Sequence, residues 1–167
     1  MNEKPKPFLF RIAPYFPIAE KFALAALVVG ILLELFNATG MPIVQIALVA
    51  LSVVYFLSAY VPVEDLPESS PEGFSGLFTM VIMPKLLWIS AAITGFGVLV
   101  YTFHPVHQGY LRALLPGGTV ILLCVLWTGY LLVIGSDQVM RLKAPLLRAI
   151  PLLVVDAYIL WEIFLKP

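Results

Sequence analysis

Five apolar stretches, each close to the length of a membrane-spanning helix, dominate this chain of 167 residues. A helix rises about 1.5 Å per residue, so about 20 apolar residues cross the hydrocarbon core of a bilayer. Lipid offers no water to the backbone N–H and C=O groups, and a helix satisfies them internally. The pattern therefore predicts an all-α, multi-pass transmembrane helical bundle, built from two tandem helical hairpins with four spans and a fifth C-terminal apolar helix.

The composition agrees with a membrane protein. The chain is 61% hydrophobic and 12% charged, with a mean hydropathy of +0.99, whereas soluble domains are about 45–50% apolar and about 25% charged. The formal net charge is zero, so no basic surface points to nucleic acid. The single cysteine, Cys124, excludes a disulfide framework or a zinc site built from cysteines.

The first half divides into an arm and a hairpin. Residues 1–17 carry cations and aromatic rings, including Arg11 and Phe16, which is typical of an interfacial N-terminal arm. A disordered tail is the alternative. Residues 18–61 form the first predicted hairpin, with spans over 18–36 and 42–61 joined by a short turn that ends at Gly40.

The second half is predicted to repeat this plan. Residues 62–84 comprise an acidic loop and a short apolar segment, over 74–83, that either lies at the interface or extends the next helix. Residues 85–135 form the second hairpin, with spans over 85–103 and 118–135. Residues 136–167 are predicted to be a basic linker followed by an apolar helix over 149–165, which either spans or lies at the interface.

Small residues recur at the same place in both hairpins. Ala26 and Gly30 lie four residues apart in the first span, as Ala91 and Gly95 do in the third. Small residues with this spacing let helix backbones approach closely in lipid, so we expect helix packing through these four positions. The repeat is either a duplication, giving parallel repeats about an axis along the membrane normal, or a chance likeness of apolar helices.

The positive charges predict an orientation. The predicted crossings place eight of the 10 Lys and Arg residues on the side of the N-terminus. Cytoplasmic loops are enriched in these residues, so the N-terminus is expected in the cytoplasm of a bacterial cytoplasmic (inner) membrane. The turns at 37–41 and 104–117 would then lie in the periplasm.

Intramembrane acids are the candidate functional residues, because an ionised carboxylate in lipid is costly and must find protein, water or a proton. Glu34, near the end of the first span, is either a proton or cation relay or a structural acid hydrogen-bonded across the turn to Gln45, Asn37 or Thr39. Asp156 and Glu162 lie in the fifth segment. Asp156, near its middle, needs a partner inside the bundle if that segment spans.

No catalytic motif is found in the sequence. His104 and His107 have a spacing seen in metal sites, but Pro105 separates them and no acid or thiol lies nearby, so a turn explains them better. No nucleophile, base or phosphate-binding loop is recognisable. We therefore expect no enzyme, no metal and no cofactor.

One segment resembles a known family. Residues 55–64 (YFLSAYVPVE) and the short Thr39–Pro42 turn before them resemble the gliding-motility and type IX secretion motor subunit L of Bacteroidota. The resemblance implies a related membrane hairpin. That family carries a glutamate in its second helix and a long cytoplasmic region, whereas the second span here has no acid and the chain makes another hairpin.

Two functional hypotheses follow. The first is a non-enzymatic structural or accessory subunit of a membrane assembly, whose partners are the lipid bilayer and other membrane subunits or further copies of itself. The alternative is a proton- or ion-coupled transporter or stator-like element that uses the intramembrane carboxylates.

Overall fold

The computed structural model describes residues 8–36, 38–61, 76–104, 108–136 and 139–164. All regular elements within these ranges are helical, which confirms the all-α bundle. The whole acidic loop over 62–73 lies outside the described residues, as do Lys4, Lys6, His107 and Lys166.

The helices follow one another with short connections. We number them α1 (Phe8–Ile12), α2 (Phe16–Leu35), α3 (Met41–Ser58), α4 (Met83–Phe103), α5 (Leu111–Val133) and α6 (Val139–Phe164). A 3₁₀ turn, Ala13–Tyr15, joins α1 to α2, another, Gln108–Tyr110, precedes α5, and a π-helical segment, Phe78–Ile82, leads into α4.

Four helical stretches are long and apolar enough to cross a membrane: Phe8–Leu35, Met41–Ser58, Phe78–Phe103 and Leu111–Val133. They correspond to the four predicted spans. The short apolar segment takes the second of its two predicted forms, since the π-helical turn continues into α4 instead of lying apart. The π-helical turn, which contains more residues per turn than an α-helix, lies just before Pro84, and Pro84 has no N–H to donate to the preceding turn.

Two predicted boundaries are wrong. α5 begins at Leu111 instead of Gly118, with Pro116 inside it, and α6 begins at Val139 instead of Ala149, with Pro145 and Pro151 inside it. Proline usually ends a helix in water because it removes a hydrogen bond and its ring strikes the preceding turn. In a membrane bundle, local adjustments of the helix, other side chains or neighbouring helices can satisfy the backbone groups that a proline frees, so a helix can continue through it. The predicted basic linker is therefore mostly helix.

The helices pack in chain order. α2 packs on α3, α3 on α4 and α4 on α5, while α6 packs against both α4 and α5. α2 is peripheral, and its buried residues are Glu20, Ala23 and Gly30. α4 is central, with buried residues along its whole length.

α6 runs alongside the four spans. In the first half of α6, Arg148 forms an ion pair with Glu20 of α2. Farther along α6, Ile159 packs with Val44 and Leu114, which lie near the starts of α3 and α5. Contacts at both ends of the bundle place α6 along the spans instead of across their ends. α6 differs in composition from the four more apolar stretches because it carries more charged side chains.

The small residues mark close helix approaches, and the neighbour is α3 for both glycines of the predicted motifs. A Cβ added at Gly30 would lie 2.8 Å from Val44 Cγ2, and one added at Gly95 would lie 2.8 Å from Ser52 Oγ. Ala91 is buried and Ala26 half-buried. The two motifs therefore lie against one shared helix.

A different glycine in α4 makes the contact that matches Gly30. A Cβ added at Gly97 would lie 2.8 Å from Leu114 Cδ2 at the start of α5, as Gly30 lies against the start of α3. Phe36 and Phe103 follow these two glycines at the same interval. The contacts thus align the hairpins through Gly30 and Gly97, while the duplication itself stays a prediction.

We expect Gly30→Ala to lower the free energy of unfolding by about 1–3 kcal/mol, because the new methyl group overpacks the contact with Val44. Gly129→Ala is the matched control, since a Cβ there meets nothing within 4 Å. Thermal unfolding in detergent measures both variants. Equal stability of the two variants would show that α2 and α3 do not approach closely at Gly30.

Candidate functional site

A buried ion pair joins the first long helix to the last. Arg148 Nε of α6 donates a hydrogen bond to Glu20 Oε1 of α2, whose side chain is only 8% exposed. The Tyr55 hydroxyl of α3 donates to the same carboxylate oxygen at 3.4 Å. Three helices therefore meet at one carboxylate, which lies one turn after the start of α2.

An aromatic ring completes this cluster. The Arg148 guanidinium lies over the ring of Trp88 of α4, with 5.3 Å between Cζ and the ring centroid, and the rings of Trp88 and Tyr55 are 5.4 Å apart. A planar guanidinium can stack on an aromatic face while it pairs with a carboxylate. We call Glu20, Tyr55, Trp88 and Arg148 the ion-pair cluster.

Pairing makes the two charges tolerable at this position. An isolated charge within a bilayer is costly, and breaking a buried pair leaves the remaining ion uncompensated. A cavity of about 310 Å³ borders the pair. Its other lining residues are Ala13, Phe16, Pro17, Val54, Ser58, Val61 and Trp88.

Glu34 caps a helix. Its Oε2 accepts hydrogen bonds from the backbone N–H groups of Gly40, at 3.0 Å, and Met41, at 2.9 Å. These groups lie at the start of α3, where helical N–H groups lack partners and a negative charge is favoured. The hydrogen bonds of Glu34 thus cross the turn to the backbone, and the expected side-chain partner Gln45 lies half-buried farther along α3.

Asp156 is buried in the centre of the bundle without a full set of partners. It is 2% exposed, and its Oδ1 has no hydrogen-bond partner among the described residues. Its Oδ2 occupies the space that a Cβ would fill at Gly118 of α5. Gly118 is therefore the residue that lets the carboxylate lie between α5 and α6.

A second buried group without a hydrogen-bond partner lies against Gly117, the residue of α5 next to Gly118. Thr94 of α4 is fully buried, and its Oγ1 lies where a side chain at Gly117 would be. Some other hydroxyl groups within these helices bond to carbonyls of the preceding turn, as Ser58 does at 2.7 Å and Thr128 at 2.8 Å, whereas the buried Ser52 Oγ of α3 has no partner among the described residues. α4, α5 and α6 thus converge around Gly117 and Gly118, and we call Asp156 with Thr94 and these two glycines the central acid site.

The predicted site residues do not form one constellation. Glu34 is exposed at the turn between α2 and α3, whereas Asp156 is enclosed by α4, α5 and α6. Glu162 is half-buried on α6. The structure therefore does not bring the predicted acids to a shared interior. Within the described ranges no group of three or more His, Cys, Asp or Glu side chains could hold a metal ion.

Sequence reasoning missed Glu20 and Thr94. In the sequence, Glu20 lies beside Lys21 in the first turn of the predicted first span, and such a charged pair is typical of a solvated helix end. The available signal was its spacing from Ala23 and Gly30, which places the three on the same face of α2. No sequence pattern identifies its partner, which is 128 positions away.

This chain matches no protein-family model, no curated protein and no solved structure. A function is therefore inferred from the chemistry of the sites themselves, because a fold alone does not define one.

We expect Arg148→Gln to destabilise the protein by about 3 kcal/mol, because it leaves Glu20 charged and buried without its partner. Adding Glu20→Gln to this variant should restore most of the stability. Lys143→Gln, at an exposed position on the same helix, is the control. Thermal unfolding in detergent provides the comparison. Purely additive losses in the double variant would contradict a direct pair.

Removing the Glu34 carboxylate tests its capping role. Glu34→Ala should lower stability by about 1 kcal/mol, as for other lost N-caps, whereas Glu34→Gln keeps an oxygen acceptor and should leave folding and cell function intact. Leu35→Ala, at a neighbouring position that is 73% exposed, is the control. Loss of cell function in Glu34→Gln at normal expression would instead assign a proton relay to this residue.

Proposed function

We propose that this protein is a non-enzymatic, proton-coupled element of a bacterial inner membrane, in which Asp156 binds and releases the proton. The single observation that carries this proposal is the buried carboxylate of Asp156, whose Oδ1 has no partner among the described residues. Ionisable residues inside a membrane bundle are expensive and commonly mark proton pathways.

The carboxylates of Glu20 and Glu34 are already engaged. Glu20 is neutralised by Arg148 and hydrogen-bonded by Tyr55, and Glu34 accepts two backbone hydrogen bonds. Asp156 lacks such partners at Oδ1, so the central acid site is the better candidate.

The surroundings of Asp156 supply a physical link between its charge and helix packing. The neutral acid fits between α5 and α6 at a lower cost than the ionised carboxylate, because Asp156 Oδ1 has no partner among the described residues that would compensate a buried charge. Release of the proton therefore favours separation of α6 from Gly118. Such a two-state contact is what a proton-driven change of conformation requires.

Proton flux in reconstituted liposomes tests the proposal. With a pH gradient and a potassium-selective ionophore, wild-type protein should carry more protons than protein-free liposomes, and Asp156→Asn should abolish the excess because an amide cannot exchange a proton. Glu34→Gln is the control and should keep the wild-type flux. Flux in Asp156→Asn equal to the wild-type value, or no excess in wild type, would overturn the proposal.

A structural or accessory subunit is the second candidate, in which the peripheral helix α2 contacts another subunit where it would otherwise contact lipid. This helix is apolar on all sides and packs mainly on α3, which leaves residues such as Phe22 (73% exposed) and Val28 (56% exposed) uncovered within the chain. A stable companion protein after mild detergent extraction, together with cell function that tolerates Asp156→Asn, would favour this role over proton coupling.

A further inference from the structure

Two cavities share Arg148, and the first, which we call the polar cavity because it contains the Glu20–Arg148 pair, is otherwise lined mostly by apolar residues. The first is the cavity of about 310 Å³ beside the ion-pair cluster, and the second is an apolar groove of about 270 Å³ between α2, α3, α4 and α6. Arg148 lines both of them. A ligand that occupied both would need a polar end and an apolar end.

The polar cavity lies near the ends of the helices. Ser58, the last residue of α3, and Val61 beyond it both line the cavity. Positions at the end of a span lie close to the boundary between headgroups and hydrocarbon. The polar cavity is therefore at the depth of lipid phosphates and the groups just below them.

The apolar groove extends from this boundary toward the middle of the bundle. It is lined along α3 from Tyr55 to Val44, a distance of about 16 Å at about 1.5 Å per residue. Leu27 of α2 and Leu152 of α6 form opposite walls. Its length and apolar lining suit a hydrocarbon chain that lies parallel to the helices.

We propose that the polar cavity and the groove form one binding site for a phospholipid with a zwitterionic headgroup, which carries a phosphate and an ammonium group. The phosphate accepts from the Arg148 guanidinium, whose side chain is 32% exposed beside the pair, and the ammonium lies near the Glu20 carboxylate and the face of Trp88. One acyl chain fills the groove.

Charge complementarity selects this headgroup. Glu20 and Arg148 together carry no net charge, and a phosphate with an ammonium group matches both members of the pair. A headgroup with a phosphate and no cation would place negative charge beside Glu20 without compensation. The bilayer, which surrounds the protein, is the source of the ligand.

Binding of phosphatidylethanolamine and phosphatidylglycerol to the purified protein tests this site by native mass spectrometry. Wild-type protein should retain phosphatidylethanolamine more strongly. Leu152→Trp fills the groove and keeps both charged residues in the chain, and we expect it to weaken retention by about tenfold, or about 1.4 kcal/mol. Leu123→Trp, on α5 at a position that is 59% exposed, is the matched control and should bind as wild type does.

The double variant Glu20→Gln with Arg148→Gln removes the charges and keeps the groove. It should lose the preference for phosphatidylethanolamine over phosphatidylglycerol. Equal retention of the two lipids by wild-type protein would overturn the headgroup assignment. Lipid retention by Leu152→Trp equal to that of the wild type would overturn the groove as the acyl site. The proton-flux experiment is a separate measurement, so the lipid site and the proposed proton-coupled function can fail independently.

Discussion

The absence of water in the bilayer core is the constraint on which this architecture depends. Each backbone and side-chain polar group within the spans must find a partner in the protein, because an unsatisfied group costs several kcal/mol in hydrocarbon. The helices meet this demand for the backbone, even across Pro116 and Pro151, which would end helices in water. Hydroxyl groups such as that of Thr128 meet it by bonding to the preceding turn.

Glu20, Glu34 and Asp156 meet the same constraint in different ways, and this difference connects structure to function. Glu20 uses a cation from a distant helix, and Glu34 uses free N–H groups at a helix start. Asp156 keeps an oxygen without a partner among the described residues, so a proton is the remaining means of removing its charge. The first two acids bond to other helices, while under the proposed function the third binds and releases a proton.

Much of the fold could be predicted from the sequence, because apolar length and short Gly/Pro turns specify spans directly. The predicted boundaries near Pro116 and Pro145 are wrong because the proline preferences of helices in water do not hold for a bundle in lipid. Only part of the candidate site could be predicted from the sequence. Asp156 is conspicuous as an acid in an apolar run, but its contact with Gly118 and the pairing of Glu20 with Arg148 depend on tertiary packing that no local pattern encodes.

Infrared difference spectroscopy across a pH titration tests the central claim most directly, because it detects the protonated carboxyl group itself. The account predicts a carboxylic acid band that titrates in the wild-type protein in detergent or nanodiscs. The chain contains 10 Asp and Glu residues, so several carboxyl groups contribute to this band. Substitution of Asp156 by Asn should remove one component of the band, while substitution of Glu34 by Gln should leave that component in place. An unchanged band in the Asp156 variant would contradict the assignment of Asp156 as the proton-binding residue.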